Sequence, residues 1–156
     1  MKPKTFCQLY VHLIFAVKNR NAVLNEEIRH RIFKYMSGII TQNGHKSICV
    51  DGVSDHVHLL VGLDPSKTIS EIVLKVKRAS SLLINQERLC PGKFSWQAGY
   101  GAFSVSHSQL SRVYAYVLNQ KKHHQRKSFK DEYLAFLEKL EIEYDEKYLF
   151  RIIDYR

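Results

Sequence analysis

Residues 9–17 read Leu9-Tyr10-Val11-His12-Leu13-Ile14-Phe15-Ala16-Val17. The residues of this stretch are mostly β-branched, aromatic or otherwise apolar, a composition that favours strands. A short apolar run without a polar face is typical of a strand buried on both sides. The stretch therefore predicts a central strand around which the other elements are arranged.

The segments that follow this strand predict a helix and a hairpin. Apolar residues recur at steps of three and four from Ile28 to Ile40, and Asn43-Gly44 is a helix stop signal. Two short apolar segments then occupy residues 46–53 and 56–63, and Ser54-Asp55 separates them. Such a pair with a short polar connection predicts two antiparallel strands.

The next part of the chain predicts a second helix, a last strand and a third helix. The capping box Thr68-x-x-Glu71 opens the second helix, and the segment Phe94 to Val105 supplies the strand. A second capping box, Ser106-x-x-Gln109, precedes a helix that we expect to run through about His123. The order β-α-β-β-α-β-α predicts an α+β, ferredoxin-like antiparallel sheet with two helices on one face and an additional helix after the last strand.

The chain of 156 residues has the size of one domain. We expect a body over residues 1–127 and an acidic helical tail over residues 128–156. In the tail, apolar residues at helical spacing would pack on the body: Tyr133, Phe136, Leu137 and Leu140. The net charge is +9 with a pI near 9.5, although residues 131–156 hold 4 basic and 8 acidic side chains. The positive charge thus belongs to the body, and it favours an anionic partner.

Cysteines and apolar runs exclude several classes of protein. The three cysteines contain no C-x-x-C pair, which disfavours a disulfide framework and a zinc knuckle. The apolar run Leu13 to Val17 is far below the roughly 18 residues of a membrane span, and no small-residue cleavage site follows it. The sequence predicts a cytoplasmic protein without a membrane segment.

Two histidines fall on one face of the predicted third strand. In His56-Val57-His58 the imidazoles alternate with Val57, so they lie side by side about 6.6 Å apart along the strand. Two rings at that distance can converge on one metal ion. The alternative is a pair of ordinary histidines on a half-exposed strand.

The third helix has an apolar stripe formed by Leu110, Val113, Val117 and Leu118. Tyr114 falls on the same stripe, so we predict that it is a core residue. Tyr116 and Gln120, four residues apart, project from one flank of that helix. The alternatives are a packing tyrosine and a solvated amide. Two imidazoles and an amide carbonyl would leave open positions on Mg²⁺ or Mn²⁺ for phosphate and water. A deprotonated phenol beside such a phosphate can attack phosphorus and form a phosphotyrosine.

Together these motifs resemble the single-tyrosine HUH transposases of the insertion-sequence-200/605 family. The resemblance rests on four stretches: the first strand ending in Lys18-x-Arg20, then Asp55-His56-Val57-His58, Phe94-x-Trp96-Gln97-x-Gly99-Tyr100, and the helix Tyr116-Val117-Leu118-Asn119-Gln120. It implies that Tyr116 is the nucleophile and that His56, His58 and Gln120 bind a divalent metal. It further implies cleavage of single-stranded DNA beside hairpins at element ends, through a 5′-phosphotyrosine and a free 3′-hydroxyl. It also implies homodimers whose sheets join edge to edge, with composite active sites.

Basic and aromatic side chains outside this site are candidates for a DNA track. Cations on the second helix and after Gln120 would contact phosphates: Lys75, Lys77, Arg78, Lys121, Lys122, Arg126 and Lys127. Trp96, Tyr100 and Phe103 would stack on unpaired bases. The alternatives are a solvated helix face for the cations and core packing for Trp96 and Phe103.

The sequence thus predicts a metal-dependent DNA transposase, and three other functions stay open. A domesticated relative would nick repeated hairpins in its host genome. A non-catalytic ferredoxin-like module would only bind single-stranded nucleic acid. A metal-independent ribonuclease would use His56 or His58 as general acid or base.

Overall fold

The computed structural model of the protein describes residues 5–120 and 129–143. Its elements are β1 (Tyr10–Ala16), α1 (Glu26–Gln42), β2 (Lys46–Gly52), β3 (His56–Gly62), α2 (Ile69–Gln86), β4 (Gly101–Val105), α3 (Leu110–Leu118) and α4 (Phe129–Lys139). Two 3₁₀ helices, Lys18–Arg20 and His107–Gln109, follow β1 and precede α3. The strands of the described chain form one antiparallel sheet in the order β2-β3-β1-β4. The predicted ferredoxin-like α+β fold is confirmed.

β1 lies in the middle of the sheet, as its composition predicts. It pairs with β3 on one side and with β4 on the other, and Val11 to Ala16 are buried on both faces. Alternate residues of β1 and β3 enter the core that α1 and α2 cover: Val11, Leu13, Phe15, Val57, Leu59 and Val61. Burial of these side chains is the main force that holds the sheet and the two helices together.

The opposite face of the sheet is covered by α3 and α4. Tyr133 and Leu137 of α4 pack on Ile14, Ala16 and Phe103 in a second apolar cluster. α3 crosses β2 and β3 on this face. The described part of the acidic tail therefore packs on the sheet, as its helical spacing predicts, although Leu140 is exposed.

The helix boundaries agree with the local signals in two of three cases. The Thr68 hydroxyl accepts a hydrogen bond from the Glu71 backbone N–H, so the first capping box is confirmed. α1 ends at Gln42 with Asn43 as its C-cap, and Gly44 follows with φ of +85°, a conformation that suits glycine. The second capping box is wrong, because the Ser106 hydroxyl bonds to the Ser108 hydroxyl and a 3₁₀ turn precedes α3.

The rotation of α3 also differs from the prediction. Tyr114 is 42% exposed, so its placement in the core is wrong, and Leu118 is exposed as well. The face turned to the sheet instead carries residues spaced as one helical stripe: Val113, Tyr116, Val117 and Gln120. α3 ends at Leu118, and the predicted extension to His123 lies outside the described residues beyond Gln120. β4 begins at Gly101, later than the predicted segment, which starts at Phe94. Before Gly101, Trp96 forms an isolated β-bridge with Val17.

No helix in residues 5–120 or 129–143 is long and apolar enough to cross a membrane.

Trp96 is fixed in the core by one polar contact. Its indole N–H donates to the Ser80 hydroxyl at 2.9 Å, and its ring meets Phe15 and Phe94 edge to face. Replacing Ser80 by alanine leaves that buried donor without its acceptor, which costs about 1–3 kcal/mol.

We therefore expect Ser80→Ala to lower the free energy of unfolding by about 1–3 kcal/mol, measured by urea denaturation. Ser81→Ala is the matched control, because it makes the same change in helix propensity one residue further on, and we expect a change within about 0.5 kcal/mol. Equal effects of the two changes would contradict the role of the Ser80 hydroxyl.

Candidate active site

His56 and His58 share one face of β3, as the alternation predicts. Both side chains are fully buried beneath α3 and α4, and their ring centroids are 5.1 Å apart. This burial contradicts the alternative interpretation, in which the two histidines lie on a half-exposed strand. Each ring is instead held by a neighbour at its Nδ1 atom.

Asp55 holds His56 from behind. Its Oδ1 atom lies 2.7 Å from His56 Nδ1. An ionised carboxylate only accepts hydrogen bonds, so His56 Nδ1 carries a hydrogen, and in a neutral imidazole the lone pair is then on Nε2. This carboxylate–histidine arrangement is the usual support behind an imidazole that binds a metal.

His12 of β1 occupies the corresponding position behind His58. The Nε2 atom of His12 lies 2.8 Å from His58 Nδ1, and the two rings are stacked with centroids 5.0 Å apart. Burial lowers the pKa of His12 to about 4, so this imidazole is neutral near pH 7.

Glu132 of α4 brings a carboxylate to the same place. Its Oε1 atom lies 3.5 Å from His58 Nε2, and its side chain is buried. Burial, and then the charge of Asp55, raise the pKa of Glu132 to about 8. One ligand atom from each of His56, His58 and Glu132 lies within 4.8 Å of the other two. Two imidazole nitrogens and a carboxylate oxygen at this separation can bind one divalent cation.

Tyr116 lies beside this cluster within the same chain. Its ring centroid is 5.8 Å from that of His58 and 6.2 Å from that of His12, both edge to face. Gln120 is buried one helical turn further on, and its amide nitrogen donates to the Tyr116 carbonyl at 3.1 Å. Tyr116 thus faces His58 and His12, and Gln120 is buried next to it on α3.

A cavity of about 400 Å³ opens between α3 and α4 next to the cluster. Tyr116 and Glu132 lie on opposite walls, and the lining also includes His12 and the cations Arg112 and Lys139. Both cations are exposed at their positions on the two helices. A phosphate inside this cavity would therefore meet a phenol, a candidate metal ligand and positive charge.

The cations predicted for the DNA track have different surroundings. Lys75 forms an ion pair with Glu71 and a hydrogen bond to Asn43, and Arg78 is exposed. Lys77 donates to two main-chain carbonyls, those of Gln97 at 2.8 Å and Gly99 at 2.6 Å. The remaining predicted cations lie outside the described residues: Lys121, Lys122, Arg126 and Lys127.

The predicted stacking residues divide into core and surface. Trp96 is 8% and Phe103 is 5% exposed, so both pack in the core, as the alternative interpretation had it. Tyr100 is 39% exposed, which leaves part of its ring accessible to a base.

Two residues of the site, His12 and Glu132, are not predicted from the sequence. His12 is a lone polar residue inside the apolar run of β1, on the face opposite Leu13, and this pattern is a signal for a functional residue. Glu132 carried no such signal, because nothing local shows which face of α4 meets the sheet.

The comparisons with known proteins identify the family of the chain. The family model described as Transposase IS200 like matches residues 5–120. The class defined by this fold and site is therefore that of the transposases, which cleave DNA and transfer its strands. The chain belongs to the IS200-like transposase family.

Individual relatives extend this result. The ISDra2 transposase TnpA of Deinococcus radiodurans is 31% identical over 119 residues, which span 72% of this chain and 84% of that protein. The crystal structure of a candidate transposase from Deinococcus radiodurans R1 is similar over 77% of this chain and 96% of its own, at 28% identity and a TM-score of 0.58. A REP-associated tyrosine transposase bound to a REP hairpin covers 84% of this chain and 78% of its own at 12% identity and a TM-score of 0.58, which supports the fold alone.

The environment of Lys77 predicts an unusual titration. Burial lowers the pKa of its amine from 10.5 to about 8, so this amine loses its positive charge as the pH rises through 8. We expect one lysine signal to titrate near pH 8 in NMR spectra of the protein carrying ¹³C-labelled lysine. Lys77→Met identifies that signal by its loss, and titration of the Lys77 signal near 10.5 would contradict the desolvated environment.

Proposed function

We propose that this transposase cleaves and rejoins single-stranded DNA at hairpin-flanked element ends through a 5′-phosphotyrosine on Tyr116. The observation that carries the proposal is the position of the Tyr116 ring, 5.8 Å from that of His58 in the cluster of His56, His58 and Glu132. A nucleophile and a candidate metal site thus lie next to the same cavity.

His56 and His58 would hold a divalent metal through their Nε2 atoms. Glu132 is the third ligand that the geometry supports, and Gln120 is a further ligand through its amide oxygen. Nitrogen donors favour Mn²⁺ over Mg²⁺, because Mg²⁺ prefers oxygen ligands and keeps its waters. When bound, the metal polarises the scissile phosphate and stabilises the charge that develops on it.

The Tyr116 phenol performs the covalent step. It gives up its proton, its oxygen forms a bond to phosphorus, and the bond from phosphorus to the 3′ oxygen breaks. That oxygen takes a proton and becomes the free 3′-hydroxyl. In strand transfer the reverse attack by a 3′-hydroxyl on the phosphotyrosine releases Tyr116 and joins the strands.

Positive side chains around the cavity would guide the DNA. Arg112 and Lys139 on its lining are placed to neutralise phosphates next to the scissile bond. Lys75, Lys77 and Arg78 on α2, and Lys121, Lys122 and Arg126 after Gln120, are proposed to extend this track, with Tyr100 stacking on an unpaired base. A protein that acts on such DNA in this way is expected in the cytoplasm.

The arrangement of subunits is part of the proposal. We keep a homodimer with composite sites as the expectation from the resemblance, with residues 1–127 as the catalytic body and residues 128–156 as the tail. Within one chain, however, Tyr116 already lies beside His58, so a site assembled in a single chain is the simpler arrangement.

The first test uses Tyr116→Phe and labelled single-stranded DNA from the flanks of the protein's own gene, with Mn²⁺ or with chelator. We expect the wild type to give a Mn²⁺-dependent, protein-linked band on a denaturing gel. Tyr116→Phe should lose this band and keep hairpin binding, because only the attacking oxygen is removed. Tyr114→Phe on the exposed side of α3 is the matched control and should cleave like the wild type.

Other outcomes of this experiment would favour the other functions. Tight binding that falls with salt, without any covalent adduct, indicates the non-catalytic module. Cleavage of RNA in the presence of chelator indicates the metal-independent ribonuclease. Adduct formation on repeated genomic hairpins but not on the gene's own flanks indicates a domesticated relative.

The second test concerns the third ligand. We expect Glu132→Gln to weaken Mn²⁺ binding at least about tenfold in calorimetric titrations, since losing even a supporting contact of a metal ligand has an effect of this size. Glu138→Gln, an exposed position on the same helix, is the control and should bind Mn²⁺ like the wild type. Unchanged affinity in Glu132→Gln together with a loss in Gln120→Leu would assign the third position to Gln120 instead.

A further inference from the structure

His12 is an imidazole buried where the sheet otherwise needs an apolar side chain. It is 2% exposed, and aromatic rings surround it: Phe103, Tyr116 and Phe136, with centroids 5.7 to 6.2 Å away. A phenylalanine would satisfy such a pocket, whereas a buried polar ring is unfavourable unless it is hydrogen-bonded. The hydrogen bond between His12 Nε2 and His58 Nδ1 is therefore the feature that needs a reason.

The register of the sheet brings the two rings together. Ile14 of β1 is directly opposite His58 of β3, so His12 is the diagonal neighbour of His58 on the same face. The contact is thus set by backbone pairing rather than by a flexible loop.

The position of the hydrogen in this contact determines whether His58 Nε2 can bind a metal. A neutral imidazole has one nitrogen that donates and one that accepts. If His12 donates, His58 carries its own hydrogen on Nε2, which faces Glu132 and cannot then bind a metal. If His58 donates from Nδ1, its Nε2 lone pair faces the cluster.

His56 shows which of the two arrangements the cluster requires. The Asp55 carboxylate behind it, 2.7 Å from Nδ1, is an acceptor and leaves the Nε2 lone pair toward the cluster. The same division of roles at His58 makes His12 Nε2 the acceptor.

We propose that His12 is a positioning residue that accepts the hydrogen bond from His58 Nδ1 and so keeps the His58 Nε2 lone pair directed at the metal. The proposal rests on the proposed metal-dependent function. In this role His12 acts through His58: its Nε2 atom accepts from His58 Nδ1 as the Asp55 carboxylate accepts from His56 Nδ1.

The first experiment reads the tautomer directly in the metal-free full chain. NMR spectra of the protein with ¹⁵N-labelled histidine distinguish a protonated Nδ1 from a protonated Nε2. His45 is an internal reference of the opposite kind, because its Nδ1 accepts from the Asp64 backbone N–H at 3.0 Å. We expect His58 to carry its hydrogen on Nδ1 in the wild type, and to populate both tautomers in His12→Phe. A wild-type His58 with its hydrogen on Nε2 would overturn the proposal.

The second experiment measures Mn²⁺ affinity by calorimetry. We expect His12→Phe to bind Mn²⁺ about 10–100-fold more weakly than the wild type, the range for lost support of a metal ligand. His12→Gln places an amide oxygen near the position of Nε2 and should recover part of this loss. His45→Phe removes a buried imidazole outside the site and should bind like the wild type.

The outcomes separate this proposal from the proposed function. A wild type that does not bind Mn²⁺ contradicts the metal-dependent function, and the tautomer of His58 still decides the role of His12. Normal Mn²⁺ binding by both the wild type and a folded His12→Phe contradicts the positioning role alone. If circular dichroism shows that His12→Phe does not fold, the wild-type tautomer and His12→Gln decide the question.

Discussion

The pairing of β1 with β3 determines which side chains of the sheet face each pair of helices. Its register, with Ile14 opposite His58 and Phe15 opposite Val57, sends one set of side chains under α1 and α2 and the other set toward α3 and α4. A slip of one residue would exchange the two faces and bury the histidines in the apolar core. The large apolar cluster on one face therefore fixes the position of the polar cluster on the other.

That polar cluster is unfavourable by itself. His12, His56, His58 and Glu132 are all buried, and buried polar groups destabilise a fold unless they are paired. The contacts of His12 with His58 and of Asp55 with His56 offset part of this energy, and Tyr133 and Leu137 add apolar burial next to it. A protein retains such an arrangement for chemistry rather than for stability, which agrees with its membership of a transposase family.

The predictions from the sequence are confirmed where a regular pattern determines the structure. Alternation along β3 predicts that His56 and His58 share one face, and the order of strands and helices predicts the antiparallel sheet. Periodicity does not determine the rotation of α3 about its axis, because this helix has only nine residues. The prediction that Tyr114 lies in the core is therefore wrong, since its side chain is exposed. Glu132 could not be found at all, because its role depends on how a helix distant in sequence docks on the sheet. His12 was visible as one polar residue in an apolar strand, but only the register shows that it is the diagonal neighbour of His58.

The shape of the cavity bears on the substrate under the proposed function. Tyr116 and Glu132 approach from α3 and α4, so a scissile phosphate has to enter between two helices. A space of about 400 Å³ is at the small end of the range for small-molecule sites, and it suits one nucleotide rather than a duplex. Under the proposed function we therefore expect the strand to be unpaired at the point of attack, and a hairpin to be bound by surfaces outside this cavity. Under that function, selection for single-stranded DNA would depend on the packing of α4 on the sheet, because α4 forms one side of this cavity.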